Sequence, residues 1–220
     1  MNMTKQVKSK QRVADHGEVF TAEREVNAML DLVKQETERI DSRFLEPACG
    51  NGNFLVEILR RKMDVVKKKY KKSALDYEKN AILALTSIYG VDLLQDNVIE
   101  CRARLFDIWD KEYTSVCKNE ASDDCREAAK YILEKNILCG DALTLLKDDG
   151  TPIIFAEWSF ITGCMIKRRD FALSEMLDGH EEQMSLFMQD WEYDEETKAF
   201  IPKPVKEYEM IHYRRVKENG

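Results

Sequence analysis

Apolar residues recur along this chain at two spacings, and the switches between them mark alternating helices and strands. Val26, Met29, Leu30, Val33 and Ile40 fall near a 3.6-residue repeat, which predicts a helix over 22–40, with Thr21 as its N-cap. The short run 43–45 predicts the end of a strand, and Pro47 stops it because it has no N–H to give. Gly50 and Gly52 permit a tight turn. Phe54, Leu55, Ile58 and Leu59 then begin a helix over 54–70, and Leu75, Ile82 and Leu85 mark another over 74–86. A second strand is predicted at 87–92. Next comes a helix over 96–109 carrying Val98, Cys101, Leu105 and Ile108, a polar loop over 110–124 and a short helix over 125–134. A third strand at 136–143 ends in Gly140-Asp141-Ala142-Leu143.

The flanks are less regular. Residues 1–15 are polar and lysine-rich, so a flexible N-terminus is expected. Residues 152–158 predict a strand, and 167–171 a basic turn or the second strand of a hairpin. Residues 177–200 are acidic and irregular, with Phe187, Trp191, Tyr193 and Phe200 as aromatic knobs, and 205–216 predict a last extended segment.

Composition narrows the class. A chain of 220 residues with 44% hydrophobic content makes one domain, or one domain with an extension. A net charge of −7 argues against generic, sequence-independent binding of nucleic acid. The basic run 67–72 is either a solvated helix face or a phosphate contact. No apolar run nears the ~20 residues a bilayer span needs, and 1–12 lacks the apolar stretch of a secretory signal. The six cysteines form no Cys-x-x-Cys pair, which speaks against zinc and for free thiols in a cytoplasmic protein.

Candidate chemistry gathers at the predicted strand ends. A strand, a Gly-x-Gly turn and a helix N-terminus form a pocket with free N–H groups at its rim. The third glycine of a dinucleotide fingerprint and the Gly-Lys-Ser/Thr of a phosphate loop are both missing. Glu46 on the strand end suits a cationic or amine-bearing ligand better than a pyrophosphate. Asp92, ending the second strand, is placed either to bind both hydroxyls of a ribose or to cap the following helix.

The string Glu46-Pro47-Ala48-Cys49-Gly50-Asn51-Gly52-Asn53-Phe54-Leu55 resembles the S-adenosyl-L-methionine (SAM) loop of N6-adenine DNA methyltransferases of restriction–modification systems. Gly17-Glu18-Val19-Phe20-Thr21 resembles the element that in this family precedes the first helix and meets the SAM carboxylate. The resemblance implies cofactor contacts from Phe20, Thr21, Glu46, Pro47, Ala48, Cys49, Gly50, Gly52, Asn53, Phe54, Asp92, Leu93, Asp141 and Ala142, with Asp92 on the ribose and Asp141 on the adenine amine. It covers about two thirds of the chain. It implies an α/β, Rossmann-like class I SAM-dependent methyltransferase fold, with a mostly parallel and here incomplete central sheet flanked by helices. The corresponding division is a SAM-binding domain over 16–160 and a C-terminal extension over 161–220.

One family motif is absent. The catalytic loop is (Asp/Asn/Ser)-Pro-Pro-aromatic, and no two of the four prolines here are adjacent. Glu157-Trp158-Ser159-Phe160 can be read as a degenerate aromatic version of it. Three functions stay open: a SAM-binding subunit whose catalytic loop lies on another polypeptide, a catalytically silent SAM-binding protein, or a methyltransferase for another substrate. The partners implied are DNA and either a second polypeptide or a second copy of the chain, since an incomplete sheet leaves an edge strand to pair. No membrane partner is expected, and no catalytic residue is assigned.

Overall fold

The computed structural model describes residues 6–178, 191–194 and 199–220, with side chains described outside 176–202. Its centre is a parallel sheet of three strands in the order β1 (Phe44–Glu46), β2 (Ile88–Asp92), β3 (Ile137–Cys139). Leu45 lies opposite Tyr89, and Val91 opposite Leu138. The β1–β2 connection runs through α4 (Asn53–Tyr70) and α5 (Ala74–Thr86), and the β2–β3 connection through α6 (Gln95–Cys117) and α7 (Asp123–Asn136). The chain is therefore mixed α/β.

The pleat sorts the strand residues. Ile88 and Ile137 enter a core shared with Leu55, Leu59, Ile82, Leu105 and Ile132 from the helices. Tyr89, Val91 and Leu138 point the other way, onto Ile153, Phe155 and Leu173. From the antiparallel hairpin of β4 (Ile154–Thr162) and β5 (Met165–Ala172), Phe155 packs on that second face, whereas Ala156, Trp158 and Ile166 enter the main core. Phe155 meets Tyr89 edge-on at 5.4 Å, and the Tyr89 hydroxyl donates to the Ala156 carbonyl. The hairpin leaves Leu45, on the same side of the pleat, 42% exposed.

Several helices follow their sequence signals. Ser73 caps α5 by accepting from the Asp76 N–H. Asp123 and Asp124 in the first turn of α7 and Lys135 in its last complement the helix dipole. Helix α6 departs from expectation, because it continues through half of the predicted loop 110–124. Cys101, Leu105, Trp109, Tyr113 and Cys117 recur every four residues and are all buried, so the apolar stripe does not end at Trp109. A 3-10 turn, Lys118–Glu120, then leads into α7.

The helix predicted over 22–40 is broken into α2 (Glu23–Asp31) and α3 (Lys34–Thr37). Val26 and Leu30 are buried, but Leu32 is 84% exposed and the stripe lapses there. The chain turns so that the carbonyls of Ile40 and Ser42 meet the Lys62 ammonium, which also donates to Ser87 Oγ. Burial pushes the Lys62 amine down to about 7, and those three acceptors offset its loss of water. Thr21 is not the N-cap; Ala22 holds that place, with no side-chain cap.

The termini hold more structure than the sequence suggested. Within the N-terminal stretch expected to be flexible, Ser9 caps helix α1 (Lys10–His16) and Gly17 ends it in the left-handed region. The predicted extended segment 205–216 resolves into two short strands pairing with β5, β8 (Lys206–Glu207) and β9 (Ile211–His212), and a 3-10 helix, Tyr213–Asn219. Tyr213 and Val216, three residues apart, share one face of that helix and are buried in the main core. Of the acidic stretch 177–200, Phe187 and its neighbours lie outside the described residues. A short helix α8 (Leu173–Asp178) precedes it, and β6 (Trp191–Asp194) pairs antiparallel with β7 (Ala199–Pro202). Among the described residues no helix is long and apolar enough to cross a membrane.

Candidate functional site

The carboxyl ends of the three parallel strands come together around the glycine turn. The Cys49 N–H donates to the Val91 carbonyl and the Gly52 N–H to the Cys49 carbonyl, each at 2.8 Å, which docks the turn on β2 and closes it. Gly50 and Gly52 have φ of 52° and 90°, in the region that favours glycine. A Cβ on Gly52 would lie 2.6 Å from Cys101 Sγ, and one on Gly90 2.8 Å from Leu55. The turn is thus pressed down onto β2 and α6. Gly52 is also the N-cap of α4 and supplies no side-chain cap to the first-turn N–H groups.

Asp92 sits at the hub. Its Oδ2 accepts the Gly50 N–H at 2.8 Å, and its Oδ1 accepts the Leu94 N–H at 2.9 Å and Asn97 Nδ2 at 3.1 Å. A carboxylate offers about four lone-pair sites, so room is left for one further donor rather than two. Asp92 is not the N-cap of α6, a place that Leu94 holds.

Asp141 stands just past β3, next to the Asp92 end of β2. It accepts the Leu143 N–H at 2.8 Å through Oδ1. The turn that follows is tight, with the Leu145 N–H on the Asp141 carbonyl at 2.7 Å and Leu145 itself at φ 63°. Side chains of this lip are open to solvent: Leu93 is 49% and Leu143 95% exposed. Ala142 packs against the smaller apolar cluster.

Glu46 is half-buried and accepts the Ala48 N–H at 3.3 Å. Burial pushes its carboxyl up, against the smaller pull of that N–H. Among the described residues it has no ion-pair partner, so a cation arriving there would relieve a desolvated carboxylate. Pro47 and Ala48 are exposed beside it, whereas Cys49 is buried beneath the turn and Phe54 packs against the core. Phe20 lies over the turn: a Cβ on Gly50 would come 3.1 Å from its ring. Thr21 is tied in through its carbonyl, which accepts Asn53 Nδ2 at 2.9 Å.

The helix after β2 contributes residues that the motifs did not reveal. Arg104 donates to the Asn51 carbonyl at 2.6 Å and to Asn53 Oδ1 at 2.9 Å. Glu100 accepts Asn51 Nδ2 at 3.0 Å, and Asn97 reaches both Asp92 and Glu18. Asn97, Glu100 and Arg104 stand three and four residues apart, a polar stripe beside the apolar one on the same helix. That stripe was the available signal. Arg12 completes the group: its hydrogen bonds hold Glu18 below the usual carboxylate range and Asp96 down to about 2.

Other candidates fall elsewhere. Glu157 is buried in β4, paired with Arg43 and Arg169, and Trp158 is buried beside it with Nε1 on Asn136 Oδ1 at 2.9 Å. Arg43 precedes β1, so this string lies toward the amino ends of the parallel strands, away from the glycine turn. An open cavity of about 470 Å³ lies at that same end, lined by Arg39, Asp41, Ser42, Arg43, Thr86 and Trp158 among others. Its arginines are paired, Arg43 to Glu157 and Arg39 to Glu36 and Asp41. In the basic run, Lys67 is bound to Glu112 at 2.7 Å at the far end of α4 from the turn.

No protein-family model, curated protein or solved structure matches this chain.

Proposed function

We propose that this chain is the SAM-binding portion of a DNA adenine-N6 methyltransferase of the restriction–modification type, with the catalytic loop supplied by another polypeptide. The observation that carries the reading is the convergence of Glu46, Asp92 and Asp141 at the ends of three adjacent parallel strands, around a glycine turn that opens a helix. SAM would supply an electrophilic methyl group on a sulfonium. Glu46, which has no ion-pair partner among the described residues, suits the positive end of that ligand. Asp92 has capacity for one ribose hydroxyl. Asp141 keeps an acceptor oxygen for an adenine amine, a donor that carboxylates read well. Leu93 and Leu143 offer apolar surface to a flat base at the same lip.

Isothermal titration with SAM and S-adenosylhomocysteine tests the cofactor reading, and heat of binding is expected for both. Asp141→Ala removes one charged hydrogen bond and should weaken binding by about 1.5–3 kcal/mol. Absence of heat from folded protein would sink the reading, and an unchanged affinity in the variant would remove Asp141 from the site.

Turnover needs more than the cofactor. The target amine must be held in line with the methyl group, beside acceptors that draw density onto its nitrogen. The paired prolines and aromatic that do this in the family are missing from the chain, and Glu157-Trp158-Ser159-Phe160 is strand. The chain alone is therefore expected to leave a mixed-sequence duplex unmethylated in a labelled-methyl transfer assay read after digestion to nucleosides. N6-methyladenosine above a no-enzyme control, lost in Asp141→Ala, would overturn that. A chain that binds SAM yet gains no transfer activity from any partner subunit would fit the second reading, a catalytically silent SAM-binding protein.

A further inference from the structure

The segment from Gln6 to Phe20 is held to the domain by charge. Helix α1 buries no residue. Lys8 Nζ lies 3.2 Å from Asp96 and 2.7 Å from Glu100, and Arg12 lies 2.7 Å from Asp96; within the segment, Arg12 also pairs with Glu18 at 2.6 Å. The side chains of Lys8, Arg12 and Asp96 are 28%, 25% and 54% exposed. Solvent-exposed pairs of this kind are each worth ~0–1 kcal/mol and are screened by salt. A segment fastened this way, with no apolar anchor in its helix, belongs to the part of a fold that opens first.

The same segment reaches the candidate site at two points. The Phe20 N–H donates to the Gln6 carbonyl at 2.7 Å, and the Phe20 ring covers Gly50. Asn97, 1% exposed, has its whole amide engaged. Its oxygen accepts from Lys8 at 2.8 Å and Arg12 at 3.3 Å, and its nitrogen donates to Glu18 at 2.7 Å and Asp92 at 3.1 Å. The amide that orients Asp92 is thereby oriented by the segment above it.

We propose that residues 6–20 form an electrostatic strap over the cofactor turn, and that Asn97 is the positioning residue coupling its closure to the Asp92 carboxylate. Opening the strap lifts Phe20 from Gly50 and deprives Asn97 of Lys8, Arg12 and Glu18, so a ligand held by the turn and by Asp92 leaves faster. The inference uses the SAM reading for its ligand but not for the strap itself, and the experiment separates the two.

Hydrogen exchange of the unliganded protein reads the strap directly. Protection at Val13 and Phe20 is expected at about 50 mM KCl and should fall at about 500 mM, where the screening length is several-fold shorter. Arg12→Gln and Asp96→Asn should show the low protection at both salts. Protection indifferent to salt and to both substitutions would overturn the strap, whatever ligand binds. Stopped-flow dissociation of S-adenosylhomocysteine is the second arm. The two variants are expected to release it about three to ten times faster than the parent at low salt and to lose the salt dependence that the parent shows. Parent-like rates in both variants would overturn the gating role. Should the parent bind no S-adenosylhomocysteine, the cofactor reading falls and the exchange result alone decides the strap. For Asn97 the readout is selectivity. Asn97→Ala, checked for folding by circular dichroism, should lose affinity for S-adenosylhomocysteine but not for its 2′,3′-dideoxyribose analogue, which gives Asp92 no hydroxyl to bind. Equal losses for the two ligands would make Asn97 merely structural.

Discussion

Gly52→Ala is expected to lower the melting temperature by roughly 4–24 °C and to abolish detectable cofactor binding. Gly52 holds φ 90°, where a residue with a Cβ costs about 1–3 kcal/mol. The added carbon would also lie 2.6 Å from Cys101 Sγ, in a fully buried helix position. Overpacking of that kind costs a further ~1–3 kcal/mol. For a domain of this size each kcal/mol moves the midpoint by about 2–4 °C. Relief of the clash must lift the turn away from α6, which moves the Gly50 N–H off Asp92 and misaligns the α4 N-terminus. The double variant Gly52→Ala/Cys101→Ala separates the two causes, since it removes the clash and keeps the backbone strain; partial recovery of stability without recovery of binding is expected. Gly163→Ala, in the turn between β4 and β5, is the control. It has φ 56° and nothing within 4 Å of the added carbon, so only a backbone cost of ~1–2 kcal/mol applies, at a position off the glycine turn. A Gly52→Ala protein as stable and as competent as the parent would show that the turn does not have the shape described.

Glu78→Ala is expected to destabilise the fold by about 3–5 kcal/mol while leaving the glycine turn intact. Glu78 is 1% exposed in α5. Its carboxylate accepts from the hydroxyls of Tyr113 and Tyr213 and from Arg214 Nε, so one side chain joins α5, α6 and the final 3-10 helix. Removal leaves two buried phenols short of an acceptor and Arg214 without its counter-charge. Thermal unfolding should show a midpoint lower by roughly 6–20 °C. Hydrogen exchange should show loss of protection first in 213–219, where Tyr213 and Val216 anchor the last helix. Glu78→Gln, which keeps two polar atoms in place, should lose clearly less. An Ala variant with parent-like stability would mean that the C-terminal helix is held by its apolar contacts alone. Ligand binding in the surviving folded fraction should match the parent, because Glu78 has no contact with the turn.

The parallel core and its turn were open to reading from residue order. Three short apolar runs, the first two each followed by helical periodicity, place three strands with crossover helices between them. The residues ending those runs are Glu46, Asp92 and Asp141. Local chemistry suffices there, because a glycine that must adopt positive φ and an acid at a strand end are visible one position at a time. Helix α6 shows where that reading stopped short. Its stripe runs on through Tyr113 and Cys117, but polar residues between them, Asp110, Lys111, Glu112 and Thr114, hide it in a window that expects a loop.

What lay beyond the sequence has a common cause, namely partners distant along the chain. Lys62 takes the carbonyls of Ile40 and Ser42, so the helical stretch predicted to run to residue 40 ends at Thr37. Glu78 draws Tyr213 and Arg214 across 135 residues or more, which makes a helix of a segment expected to be extended. Lys8 and Arg12 reach Asp96 and Asn97, and a tail expected to be flexible is fastened over the site. By itself the sequence determined the α/β class, the glycine turn and the three acidic strand ends, because steric permission and apolar periodicity act within a few residues. Only the tertiary structure decided how many donors Asp92 already holds, what lies over the turn and where the C-terminal segment docks. Those depend on charges and amides brought together from far along the chain, and no local pattern records which of many possible partners each will meet.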